Sequence, residues 1–142
     1  GWRIGYVVGN KEIIHSLSVV KSNTDTSQFL PIQKAAAFAL SMDQTEVKEN
    51  VAIYRERMLA VVGGLKSMGI PVGQPKGTFY VWAPVPEGYS SGSFAAHILG
   101  HTGVVVTPGA AFGPSGEGYF RISLTHPVDR LKEAIARIQK SL

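Results

Sequence analysis

An arginine beside a glycine loop is the first group in this sequence that could do chemistry. The stretch from Gly103 to Thr125 reads GVVVTPGAAFGPSGEGYFRISLT. In its second half Phe120, Ile122 and Leu124 alternate with Arg121, Ser123 and Thr125. Side chains along a strand alternate between faces, so the pattern predicts one apolar core face and puts the Arg121 guanidinium on the other. A planar guanidinium fork suits a carboxylate or a phosphate. The loop before it carries Gly109, Gly113, Gly116 and Gly118, with Pro114 among them. Glycine permits close backbone approach, so this loop can turn tightly or press against a ligand. The same residues also fit a surface arginine on a half-exposed sheet, the commoner case. A second arginine, Arg3, lies between Trp2 and Ile4 at the mouth of an apolar run. Inside the protein it would need an anion as partner; outside it would face water.

Other constellations are weaker. His97 and His101 are spaced to share a helix face, as zinc ligands often are, but no glutamate follows His97 in HExxH fashion and no third ligand is apparent. They read as a solvated helix edge, and no metal site is expected. His15 and His126 have no evident partners. Gly113-x-x-Gly116-x-Gly118 leads into a strand, whereas a dinucleotide loop leads into a helix, so a phosphate cradle is rejected. Serine hydrolase chemistry is rejected too: no G-x-S-x-G occurs, and Ser91 and Ser115 read as loop residues.

The elements that must position these groups can be read in order. Trp2 to Val8 reads as a buried strand. Asn10 can cap a helix with Ile13, Ile14, Leu17 and Val20 on one side. Ser22 to Ser27, SNTDTS, reads as a loop. Pro31 opens a second helix, and its alanines imply close packing against a neighbour. Asp43 and Glu46 have capping-box spacing. Behind them Val47, Val51, Tyr54, Met58, Val61 or Val62, Leu65 and Met68 repeat at helical spacing, the strongest periodic signal in the chain. Gly63-Gly64 weakens that helix, and Gly69 with Pro71 ends it. About twenty-five residues at 1.5 Å each span about 37 Å, enough to cross between two lobes. Thr78 to Ala83 reads as a strand, and Ser90 to His101 as a short helix with Phe94, Ile98 and Leu99 inward. Val104 to Val106 reads as a strand before a turn at Thr107-Pro108-Gly109. Pro127 begins a last helix with Val128, Leu131, Ile135 and Ile138 as its apolar stripe.

With 142 residues the chain is long enough for a real core, and its 44% hydrophobic content argues against disorder. The net charge of +4 is scattered rather than gathered with aromatics, so nucleic acid is not implied. The lack of cysteine excludes a disulfide framework and fits a cytoplasmic protein. No apolar run approaches membrane-spanning length. The first residue is Gly1 rather than Met and opens a strand-like run, so a fragment is expected, with any targeting signal out of view.

Taken together, these residues resemble a known family. Gly1-Trp2-Arg3-Ile4-Gly5 resembles the tail of the S-K-x-x-x-x-x-G-x-R motif of class I/II aminotransferases, fold-type I enzymes that depend on pyridoxal phosphate. SNTDTSQFLPIQKAA from Ser22, KGTFYVWAPVP from Lys76, GVVVTPGAAFG from Gly103 and GEGYFRISLT from Gly116 follow in family order. The resemblance covers essentially the whole chain, and its phrasing is closest to the LL-diaminopimelate aminotransferase group, with aspartate and alanine aminotransferases nearby. It implies an α/β fold, the C-terminal part of the fold-type I architecture. Residues 1–42 would end the large domain, 43–68 would form a long connecting helix, and 69–142 would form a small domain with an antiparallel sheet. Arg3 matches the arginine that binds the cofactor phosphate, and Arg121 the one that grips the substrate α-carboxylate. Ser22, Asn23 and Asp25 match a segment that approaches the neighbouring subunit's site in the family homodimer. The Schiff-base lysine, the aspartate paired with the pyridine nitrogen and the ring-stacking aromatic are expected upstream of Gly1. No lysine of this chain is assigned the catalytic role, and the chain alone is expected to be inactive. The implied reaction moves an amino group between an amino acid and a 2-oxo acid, LL-diaminopimelate with 2-oxoglutarate or an aspartate-like pair, within lysine biosynthesis. A fold-type I lyase or synthase, and a stand-alone carboxylate-binding or dimerising module, are the alternatives.

Overall fold

The computed structural model describes residues 2–142; Gly1, which opens the arginine-bearing motif, lies outside them. The chain divides into two compact units, Gly1–Val47 and Lys48–Leu142.

In the first unit, residues 2–10 form no regular element and are all exposed. The strand expected over Trp2–Val8 is therefore absent. A strand exists through the neighbours it bonds to, and no described residue pairs with this run. Helix α1, Lys11–Thr24, starts where expected: the Asn10 Oδ1 accepts from the amides of Glu12 at 2.8 Å and Ile13 at 3.4 Å. It runs three residues into the segment expected as loop. Ser22 and Asn23 donate to the Val19 carbonyl at 3.0 and 2.8 Å, and Thr24 donates to Val20 at 2.7 Å. These polar side chains thus bond back onto the last turn. Helix α2, Leu30–Ser41, has Pro31 in its first turn, where the missing amide costs nothing. Neither helix has a buried residue. The apolar side expected for α1 is exposed except for half-buried Ile14, and the close packing expected of the α2 alanines is not formed among the described residues.

Helix α3, Thr45–Ser67, is 23 residues long, or about 35 Å. The expected capping box is replaced by a tighter turn. Asp43 Oδ1 accepts from the Thr45 amide at 3.2 Å while Gln44 takes φ +63°. Met58, Val61, Val62 and Leu65 are buried, whereas Val47 and Val51 are exposed. The helix passes through Gly63-Gly64 unbroken. It ends in a Schellman turn: the Ile70 amide reaches the Leu65 carbonyl at 3.1 Å and the Gly69 amide reaches Lys66 at 3.0 Å, with Gly69 at φ +79°.

Three antiparallel strands follow in the order β1-β3-β2: β1 Tyr80–Pro84, β2 Thr107–Pro108 and β3 Tyr119–Ser123. Tyr80 to Pro84 lie opposite Ser123 to Tyr119, so Val81, Ala83, Phe120 and Ile122 share one face. That face closes the core with α3, with α4 (Ser91–Thr102) and with α5 (Val128–Gln139). Strand β1 begins two residues later than expected, because the Thr78 hydroxyl takes the Tyr80 amide at 3.3 Å. Strand β2 corrects a larger expectation. The valine run 104–106 is not a strand, and the residues read as its turn are the ones that pair, Thr107 with Arg121 and Pro108 with Phe120. Val106 turns into the core while Val105 is exposed.

Helix α4 is held by a capping box: Ser90 Oγ accepts from the Ser93 amide and Ser93 Oγ from the Ser90 amide. Phe94 and Ile98 are fully buried, but Leu99, expected inward, is exposed. It sits about 100° round the helix from Ile98, beyond the stripe that Phe94 and Ile98 define. Pro127 is the N-cap of α5 rather than its first residue, and Leu131, Ile135 and Ile138 are buried as expected.

Candidate functional site

Arg121 occupies the middle of β3, directly opposite Trp82 and Thr107, on the face away from the core. The residues to either side settle that orientation. Phe120 is 1% exposed, Ile122 packs against the core and Leu124 is fully buried. Desolvating them fixes the register, and a one-residue slip would drive the charge inward.

The guanidinium carbon lies over two aromatic rings, 4.1 Å from the Tyr80 centroid and 4.4 Å from that of Phe112. Each contact adds cation–π attraction and covers part of the planar group. Among the described residues no carboxylate forms an ion pair with Arg121. Its N–H edges therefore remain available while its planar faces rest on rings. Trp82 extends the aromatic surface, stacking on Tyr119 at 5.7 Å and meeting Phe112 edge-on at 5.6 Å. The arrangement can hold a planar anion edge to edge with the guanidinium.

The glycine loop brings Phe112 to this place. Gly109–Phe112 and Pro114–Gly116 are two short 3-10 turns. They fold back so closely that a Cβ on Gly109 would lie 2.0 Å from the Gly116 carbonyl oxygen, and one on Gly116 would lie 2.0 Å from that of Gly109. The loop is pressed against itself. Glu117 then fastens it to α4: one carboxylate oxygen accepts from the Ser91 amide and the other from the Ser91 hydroxyl, both at 2.7 Å. The same hydroxyl accepts from the Ala110 amide at 3.3 Å. The Ser91 amide and hydroxyl hold the Glu117 carboxyl below the usual carboxylate range. Ser91, read in the sequence as a loop residue although it falls within the helix expected over Ser90–His101, is a fully buried helix residue at the centre of this junction.

In the first unit Arg3 is exposed at φ +56°, a backbone region uncommon for a side chain of this size. It forms no ion pair among the described residues. Ser22 and Asn23 are engaged with the Val19 carbonyl, and Asp25 pairs with Lys21. His97 and His101 do not converge on a metal. His97 Nε2 lies 2.9 Å from the Ser141 carbonyl, His101 Nδ1 lies 2.9 Å from the His97 carbonyl, and no metal-binding cluster exists among the described residues. Cavities open in the second unit among the described residues. One, of about 350 Å³, lies between α5 and residues 103–106; the other, of about 650 Å³, lies between α3 and residues 74–79. Neither is lined by Arg121, which lies on the outer face of the sheet. No helix among the described residues is long and apolar enough to cross a membrane.

The sequence places Arg121 on the outer face of its strand but does not place Tyr80, Phe112, Ser91 and Glu117 around it. Tyr80 was within reach, since Tyr80 and Trp82 alternate with Val81 and Ala83. The Ser91–Glu117 pair spans 26 positions and leaves no local signal.

The family model for aminotransferase class I and II matches residues 1–138. The chain is 50% identical over 139 residues to LL-diaminopimelate aminotransferase 2 of Trichormus variabilis, covering 98% of this chain and 36% of that protein. It is 46% identical over 139 residues to the LL-diaminopimelate aminotransferase of Aquifex aeolicus, with the same coverage of 98% and 36%. Among solved structures it is similar to a probable N-succinyldiaminopimelate aminotransferase from Thermus thermophilus. The TM-score there is 0.86 and the identity 32%, over 95% of this chain and 36% of that one. The chain thus spans about a third of the length of the curated relatives it matches.

Proposed function

The chain belongs to the class I and II aminotransferases, and from that premise we infer that its protein moves an amino group between an amino acid and a 2-oxo acid with pyridoxal phosphate bound. LL-diaminopimelate with 2-oxoglutarate is the pair we assign first, and an aspartate-like pair second; the names of the similar proteins favour the first. We place the protein in the cytoplasm as a homodimer.

The observation that carries this reading is Arg121, a guanidinium backed by Tyr80 and Phe112 with no carboxylate partner among the described residues. A site that binds an α-carboxylate needs a cation oriented in advance and not already neutralised. Arg3 fits the cofactor phosphate for a similar reason, being exposed and without an ion pair among the described residues. When bound, pyridoxal phosphate supplies the electron sink for chemistry at the substrate Cα. Arg3 anchors one anion before substrate arrives. Arg121 then orients the substrate by two parallel charge-assisted hydrogen bonds and so sets which bond at Cα is presented. We assign none of this chain's lysines to proton transfer. Residues 1–42 we read as the end of the large domain, 43–68 as a connecting helix and 69–142 as the small domain. Ser22, Asn23 and Asp25 remain secondary candidates near the partner subunit's site.

The two arginines are separated by substituting each with lysine in the full-length protein. Lysine keeps the charge but cannot reproduce the fork. Charge-assisted bonds contribute about 1.5–3 kcal/mol, so losing one from Arg121 lowers kcat/KM for the amino donor by about one to two decades. Arg3→Lys instead weakens cofactor binding, and excess pyridoxal phosphate restores part of the activity. Equal profiles for the two variants, or cofactor loss as the main defect of Arg121→Lys, would refute the assignment of one arginine to each anion.

A further inference from the structure

We propose that Glu117 is a positioning residue for Arg121, bolting the glycine loop to α4 so that Phe112 stays against the guanidinium. This rests on the reading of Arg121 as the carboxylate clamp. Phe112 sits in the loop's first 3-10 turn with its ring about half exposed, so packing alone does not fix it. Its position is set by the loop, and the loop has two attachments. The first is the Gly109–Gly116 contact, which closes the loop on itself. The second is Glu117, whose two oxygens are both taken by the amide and hydroxyl of Ser91. Ser91 completes the junction by accepting from Ala110, two residues before Phe112. One buried residue of α4 therefore touches both ends of the loop.

The carboxylate is placed for this task. It caps an amide at the α4 N-terminus, where a negative charge is favoured. The next residue ties the chain to β1, since the Gly118 carbonyl accepts from the Val85 amide at 2.8 Å just past the end of that strand. Without the bolt, the loop keeps its internal turns and the 3.3 Å bond from Ala110 to Ser91 but loses the two 2.7 Å bonds that tie its far end to α4. Phe112 then moves off Arg121, and the guanidinium is left with Tyr80 on one side and freedom on the other. An arginine that must present both N–H groups to a carboxylate loses its aim before it loses its charge.

The experiment uses the full-length enzyme and two readouts. The first is the rate at which phenylglyoxal modifies Arg121, followed by peptide mass spectrometry, which does not depend on catalysis. The second is kcat and KM for the amino donor, with cofactor affinity alongside. Glu117→Ala should speed Arg121 modification several-fold and lower kcat/KM by between about tenfold and a hundredfold, with cofactor affinity unchanged. Glu117→Gln, which keeps an acceptor for the Ser91 amide, should recover most of both. In an Arg121→Lys background Glu117→Ala should add little further loss, because both act through one group. Ser91→Ala removes the two hydroxyl bonds, to Glu117 and from Ala110, but keeps the amide bond to Glu117, and serves if Glu117→Ala fails to fold; it should raise the modification rate in the same direction. An unchanged modification rate in folded Glu117→Ala or Ser91→Ala overturns the proposal. A raised rate with unaltered kcat/KM keeps Glu117 as the bolt and overturns the reading of Arg121 instead.

Discussion

At the scale of single residues, the charge on Glu117 has a consequence for acid stability. Its pKa is lowered from 4.5 by the Ser91 amide and then the Ser91 hydroxyl. The folded carboxyl therefore resists protonation more than the unfolded one. Its contribution is present above the unfolded value and is lost as pH falls through the folded value, so it stabilises at neutrality and fades below about pH 4.5. Glu133 is lowered as well, first by its hydrogen bond to Arg137. Melting temperature followed from about pH 6 to about pH 3.5 should fall in wild type. It should fall less steeply in Glu117→Gln. Added salt should weaken the Coulombic part of the Glu133 share, from Arg130 and Arg137, while sparing its hydrogen bonds and those of Glu117, because charge attraction at the surface is screened. Equal slopes for the variant and wild type would show that Glu117 is not part of the acid response. The face taken by Arg121 was legible because Phe120, Ile122 and Leu124 alternate within five residues. Its ring partners were not, because Tyr80 and Phe112 reach it only through strand register and loop closure.

At the scale of elements, adjacent glycines in α3 make a matched pair. A Cβ on Gly63 would meet nothing within 4 Å, whereas one on Gly64 would lie 2.3 Å from Ile135 Cγ2. Gly63→Ala should raise stability by up to about 1 kcal/mol through helix propensity alone. Gly64→Ala should lose about 1–3 kcal/mol to overpacking against α5, less the same propensity gain. Urea unfolding of both variants separates the effects, and a stabilised Gly64→Ala would mean that α5 packs elsewhere. The sequence marked both glycines as weak points, yet only the structure shows that one of them is a seat for Ile135. Helix α3 itself was readable because its apolar repeat is long. Strand β2 was misplaced because three valines look more strand-like than Thr107-Pro108, while pairing is decided by what lies opposite. The same logic removed the strand expected over Trp2–Val8: its composition is strand-like, but no described residue pairs with it.

At the scale of the molecule, the buried residues among those described all belong to the second unit. Met58 to Ile138 supply the core, while α1 and α2 contribute no buried residue. Helices of 14 and 12 residues without a packed face are marginal in water. Hydrogen exchange on this chain alone should find slow amides in β1, β3, α4, α5 and the second half of α3, and fast exchange in α1 and α2. In the full-length protein α1 and α2 should become protected. Slow exchange in α1 and α2 of the chain alone would contradict that division. Mixed with pyridoxal phosphate, this chain alone should give no stoichiometric visible absorbance that survives dialysis, since no lysine in it is assigned to the cofactor. Such an absorbance would end that assignment. The order of helices and strands was largely open to sequence reading, but the split in burial was not. Amphipathic spacing reports that a helix has an apolar side, and says nothing about whether a surface lies against it.

The contact between Gly109 and Gly116 reaches into the genetics of this protein. Every amino acid except glycine carries a Cβ, and at either position that atom would fall on the partner's carbonyl oxygen. The obstruction is main chain against main chain, so no smaller side chain nearby can make room. Two glycine codons are therefore closed to missense change, and a lesion in one has no second-site suppressor in the other.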